Sequence, residues 1–224
     1  MPNSLKIFLL GLCLIFVLGV VVFAQETLPG ETEAANLEED VKAEDLEIGE
    51  PKILPDSPFY FLKNLGRNIR EFFAFNPIVK AQLKERFANE KLIELKKMVE
   101  AGKSPEAIEQ ATENYEKEIE AIKQTVEKIK EKAKDNPQVE KFLDKFAKQQ
   151  VLHEKLLEKL ENQVPPEAFE KIKEAREEHL ERFGEVMTKL EDRTEKIIEK
   201  LKEKPEIQEK IMQIREKLKE KGEE

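Results

Sequence analysis

Tryptophan is absent from this chain, histidine occurs twice, and cysteine occurs once, at Cys13. A lone cysteine inside an N-terminal apolar run forms no internal disulfide, so stability has to come from packing. Serine is nearly as scarce. Ser4 lies in the N-terminal segment, while Ser57 and Ser104 each precede a proline and read as helix caps. Acyl transfer through a serine or cysteine nucleophile therefore has no support. The 8 glycines form no phosphate-cradling loop, and only Gly184 falls between Lys103 and Lys219. A formal net charge of −9, with no recognition motif, gives nucleic-acid binding no support. Nor does a Glu/Lys-rich chain without Trp offer the aromatic cleft of a glycoside hydrolase. The expectation is a protein that is not an enzyme, with no catalytic residues and no cofactor.

What is present begins with the N-terminus. "MPNSLK" supplies one positive side chain, Lys6, and "IFLLGLCLIFVLGVVVF" then runs 17 residues without charge. Small residues follow in "VFAQE", so residues 1–24 read as a secretory signal cleaved after Ala24. The apolar run is also long enough for the alternative, an uncleaved single-pass anchor associating with the membrane through residues 7–23. In both cases the charge pattern places the remainder outside, so the expected location is secreted or extracytoplasmic. Lipidation at Cys13 is disfavoured, because Leu12 stands where a lipobox takes Gly or Ala.

Residues 25–57 hold 11 acidic and 2 basic side chains and little apolar periodicity, which predicts a solvated, disordered linker. Residues 58–224 are nearly balanced, at 37 acidic and 36 basic, and read as the helical domain. Prolines at 58, 77, 105, 137, 165/166 and 205, mostly behind Ser or Asn caps, predict six helices starting near them. The clearest stripe is Ile108, Tyr115, Ile119, Ile122, Val126, Ile129 and Ala133. The next carries Val139, Phe142, Leu143, Phe146, Leu156, Leu157 and Leu160, and the fifth Phe169, Ile172, Phe183, Val186, Leu190, Ile197 and Leu201. A sixth, shorter stripe has Ile207, Ile211, Ile214 and Leu218. Short connections force neighbours antiparallel, so the fold class is all-α, an elongated bundle of long helices.

Against so few aromatics, "LPDSPFYFLKNLGRNIREFFAFNP" stands out: it gathers five phenylalanines and Tyr60 in one proline-bracketed stretch. On a helical wheel Leu62, Leu65, Ile69, Phe72 and Phe73 share one face, and Lys63, Arg67 and Arg70 share the other. Such a helix either seals the bundle with its aromatic face or lies on a membrane surface with its basic side near phosphates. Sealing is the expectation; the alternative makes Phe61, Leu65, Ile69, Phe72 and Phe73 membrane or partner contacts.

The two histidines, His153 and His179, both fall on apolar stripes. A hairpin about Val164-Pro165 sets His179 level with Gln150 and His153 level with Arg176, bringing the imidazoles within about one turn. Glu118 on the preceding helix is expected level with His153. The three residues form either a metal or pH-sensing site or, as the expectation favours, a polar layer fixing helix register.

The stretch "LPDSPFYFLKNLGRNIREFFAFNPIVKAQLKERFANEKLIEL" resembles the opening of an uncharacterised bacterial helical domain family, recognised by a D-S-P-aromatic-x-x-L-K helix. "HEKLLEKLENQVPPEAFEKIKEA" is similar to that family's second block, so the resemblance runs from about Pro55 to Leu190. It implies an exported or membrane-tethered helical domain and implies no activity. The functional expectation is an exported, non-enzymatic helical envelope protein acting through an unidentified protein or envelope partner, or through surface contacts. The alternative is an extracytoplasmic sensor or chaperone with a metal- or pH-responsive histidine layer.

Overall fold

A computed structural model describes residues 40–132 and 137–189, together with 209, 212, 213, 216 and 220. Among the described residues there are five helices and no strand: α1 (Tyr60–Phe72), α2 (Pro77–Glu100), α3 (Pro105–Lys132), α4 (Pro137–Glu161) and α5 (Pro166–Lys189). Proline opens four of them. At α2, Asn76 Oδ1 accepts the Ile78 N–H at 2.8 Å while Pro77 fills the first helical position. Of the segment expected to form a sixth helix from Pro205, residues 209, 212, 213, 216 and 220 are described and are helical, while its apolar positions Ile207, Ile211, Ile214 and Leu218 lie outside the described residues, as do Ala133, Leu190, Ile197 and Leu201.

α2 ends where Gly102 takes φ +59°, a conformation glycine adopts without steric cost. Lys103 N–H then reaches the Met98 carbonyl (3.1 Å) and Gly102 N–H the Val99 carbonyl (2.9 Å), closing the helix in a Schellman turn. This tight turn folds α3 back along α2. α2 packs on α3 and α4, and α5 packs on the same two, so these four helices close into a ring around one core. Apolar stripes supply that core: Ile108, Ile122 and Ile129 from α3, Phe142 from α4, Phe183 from α5, and Phe87 and Met98 from α2 are essentially inaccessible. Each such side chain contributes roughly 1.5–3 kcal/mol by leaving water.

Two expectations are corrected. The acidic stretch is packed from Asp40 onward, in place of the disordered linker expected to residue 57. Val41, Ala43, Leu46 and Ile48 are buried, and a single helical turn closes with Ile48 N–H on the Ala43 carbonyl (3.0 Å). Its charges find partners on the bundle: Asp40 with Lys96 (2.7 Å) and Lys159 (2.6 Å), Glu47 with Lys145 (2.7 Å), Asp56 with Lys103 (2.7 Å). Short-range repulsion within the stretch is thereby offset by basic residues far away in sequence. Residues 25–39 lie outside the described residues. The second correction concerns α1, which does not use its aromatic face to seal the bundle.

Candidate functional site

α1 is mounted with its polar side inward. Tyr60, Lys63, Asn64, Arg67 and Glu71 recur at three- and four-residue spacing and face α2. Arg67, 5% exposed, donates to Glu90 (2.7 Å) and Glu94 (2.8 Å), and its guanidinium lies over the Phe87 ring. Lys63 reaches the same Glu94 at 2.6 Å, Tyr60 donates its hydroxyl to Glu94, and Lys91 donates to Tyr60. Burial alone would raise the Glu94 carboxyl, but Arg67, Lys63 and Tyr60 outweigh it and hold it below the ordinary carboxylate range. At the other end Glu71 pairs with Lys84 (2.5 Å) and Lys80 (3.3 Å).

The apolar side is left facing water. Phe61 is 63% exposed, Leu65 52%, Ile69 37%, Phe72 75% and Phe73 64%. Phe59, Leu62, Phe75 and Val79 extend the same patch. An open groove runs from Phe72 and Phe75 towards Thr125, with Lys80 and Lys128 on its walls. So many exposed apolar side chains on one short segment are unusual for a folded surface.

The second feature is a buried polar layer with one residue from each helix of the ring: Asn89 (α2), Tyr115 (α3), His153 (α4) and His179 (α5). Tyr115 and His153 are fully buried, and Asn89 and His179 are 1% exposed. The Tyr115 hydroxyl lies 3.1 Å from His153 Nδ1 and 2.9 Å from His179 Nδ1. His153 Nε2 is 2.7 Å from Asn89 Oδ1, and His179 Nε2 is 3.2 Å from the Gln150 carbonyl. Asn89 in turn donates to the Leu46 carbonyl (2.9 Å) and to Gln149 Oε1 (2.8 Å), tying the layer to the acidic stretch. Burial holds His153 well below the ordinary imidazole range, with His179 adding to the effect. Burial also lowers His179, to about 4, so both rings are neutral at pH 7.

Residues 52–167 match the family model described as Domain of unknown function (DUF5667). The chain belongs to this family. No curated protein and no solved structure matches it. The DUF5667 span takes in α1 through α4, and so includes the polar-inward mounting of α1, Asn89, Tyr115 and His153; it ends before His179.

In this DUF5667 chain the histidine register holds as the sequence set it: His179 meets Gln150, and the imidazole centroids are 5.6 Å apart. Glu118 is not brought to them. It sits off the α3 stripe, with its carboxylate 3.6 Å from Lys84. Tyr115, one turn earlier and on the stripe, occupies the place expected of Glu118. A buried tyrosine needs a partner for its hydroxyl, and that requirement was the available signal for Tyr115. Asn89 and Gln149 gave none, being two amides among many polar residues. Among the described residues no three His, Cys, Asp or Glu side chains gather as a metal-binding group, and no helix is long and apolar enough to cross a membrane.

Proposed function

We propose that this protein is an exported, non-enzymatic helical protein of the cell envelope that works by laying α1 against a lipid surface. One observation carries the reading: α1 buries its charged side on α2 and turns Phe61, Phe72 and Phe73, each more than half exposed, outward. Moving one such ring fully out of water is worth roughly 1.5–3 kcal/mol, and an exposed patch of several rings forgoes that gain several times over. Arg70 beside the patch, and Lys80 and Lys128 along its groove, suit the phosphates of a headgroup layer. The apolar run at residues 7–23, cleaved or retained, would deliver the domain to the outer side of a membrane. Retained, it would also hold α1 near that surface.

The test uses the chain without residues 1–24, so that the apolar run contributes nothing. It should co-sediment with vesicles of mixed zwitterionic and anionic phospholipid. A Phe61→Ser, Phe72→Ser, Phe73→Ser variant should melt at the parent's temperature and stay in the supernatant. Parent protein that ignores vesicles, or a variant that binds them equally well, removes the reading.

A further inference from the structure

Counting protons across the buried layer leaves one contact without a hydrogen. Asn89 Nδ2 donates to the Leu46 carbonyl, which only accepts, so Asn89 must turn Oδ1 towards His153. His153 therefore carries its proton on Nε2 and presents a bare lone pair at Nδ1. The Gln150 carbonyl imposes the same tautomer on His179. Both bare Nδ1 atoms face the Tyr115 oxygen, at 3.1 and 2.9 Å, and that hydroxyl has one proton to give. One of the two contacts is thus lone pair against lone pair in a site sealed from water. An unmet acceptor so deeply buried costs about 1–3 kcal/mol.

We propose that Tyr115, His153 and His179 bind one divalent first-row transition-metal ion, through the two Nδ1 atoms and the tyrosine oxygen as phenolate. Ligands bonded to a common ion at about 2.0–2.1 Å lie about 2.9–3.4 Å from each other, and the phenol oxygen is already 3.1 and 2.9 Å from the two Nδ1 atoms. Each imidazole donates its other N–H to a carbonyl oxygen, which is how metal-bound histidines are oriented and made more basic. The three donors come from three helices around one core, where helical bundles build their metal sites. Imidazole with an anionic oxygen suits zinc, copper, nickel or iron.

The Tyr115 phenol is fully buried, which opposes its ionisation, so the bound dication has to supply the charge that holds the phenolate; the carboxylates of Glu154 and Glu116 add a negative potential that favours that cation. Arg176 acts in the opposite sense on His179, but it is held by Glu154 at 2.7 Å and Glu161 at 2.9 Å. An extra proton would also fill the missing contact, placing a full charge on one desolvated ring. The ion with its phenolate adds the same net charge, spread over three coordinate bonds. The balance is one metal dication bound and one phenol proton released to solvent, with both imidazoles already neutral. This site is independent of the lipid-surface reading.

The experiment takes the full-length chain in detergent, strips it with a chelator and titrates it with zinc chloride at neutral pH. Calorimetry in two buffers of different ionisation enthalpy should give one zinc ion bound and one proton released per chain. Tyrosinate absorption should rise in the near ultraviolet in step with binding. Tyr115→Phe keeps the ring and the packing, so it should retain helical circular dichroism, lose the proton release and the tyrosinate signal, and weaken zinc by at least about tenfold. The parent titration decides the matter even if a variant folds poorly. No saturable binding, binding without proton release, or binding that Tyr115→Phe leaves intact overturns the proposal.

Discussion

Glu85 shows how a single residue sets a pH dependence in this fold. It is 2% exposed, its Oε1 has no hydrogen-bond partner, and burial, with Glu47 adding and Lys145 opposing, pushes its carboxyl up to about 8. A carboxyl raised from 4.5 to about 8 binds its proton more tightly folded than unfolded. Its contribution to stability is therefore complete below 4.5 and is lost as pH rises towards 8. Melting temperature measured across that range should fall more steeply for the parent than for Glu85→Gln, which keeps the shape and cannot ionise. Asn89 is the second residue-scale test. Asn89→Leu leaves Gln149 Oε1 and His153 Nε2–H without their partner, and should cost at least about 2 kcal/mol in denaturant titration. The sequence made the histidine pair legible, because both lie on apolar stripes and one antiparallel register fixes their level. It did not make the third member legible. Glu118 was chosen for its level along the helix, whereas the stripe that carries Tyr115 decides which side chain points inward.

At the scale of the element, α1 separates two things that a helical wheel joins. Amphipathicity was plain from residues 60–73; the direction of the apolar side was not, because it depends on what α2 presents. α2 presents Glu90, Lys91 and Glu94 along the contact, and Arg67, Lys63 and Tyr60 answer them. Lys63 and Arg67 lie on α1 and the carboxylates they meet on α2, 23 to 31 residues away, so no local pattern announces the match. The energetic consequence inverts the ordinary expectation for an aromatic helix. Phe72→Ala should change stability by less than about 0.5 kcal/mol, as at any exposed site. Arg67→Met should cost about 1.5–3 kcal/mol, since it removes one charged partner of the fully buried Glu94 carboxylate while Lys63 remains. Chemical denaturation of the two variants side by side checks both numbers. Helix starts, by contrast, were readable nearly to the residue, because proline behind Asn or Ser is a local signal that tertiary contacts rarely override.

For the whole molecule, the all-α class was legible in the 3.6-residue periodicity, whereas the role of residues 40–57 was not, because their partners are distant. Eleven negative charges between 25 and 57 look self-repelling until Lys96, Lys97, Lys103, Lys145 and Lys159 are seen to meet four of them, Asp40, Glu47, Glu50 and Asp56. The amides of Glu47 and Ile48, bonded to the Glu44 and Ala43 carbonyls, should exchange hydrogen slowly, where a free linker would exchange at once. A bundle closed by four helices carries a fifth, α1, with its aromatic side turned outward, and the function proposed above sets that side against lipid. Since the chain has no Trp, Phe72→Trp in the protein lacking residues 1–24 is a clean reporter. Docking on lipid predicts the emission of a water-exposed indole in solution and a clear blue shift when phospholipid vesicles are added. Blue emission in the absence of vesicles, or emission that vesicles leave unmoved, would contradict it.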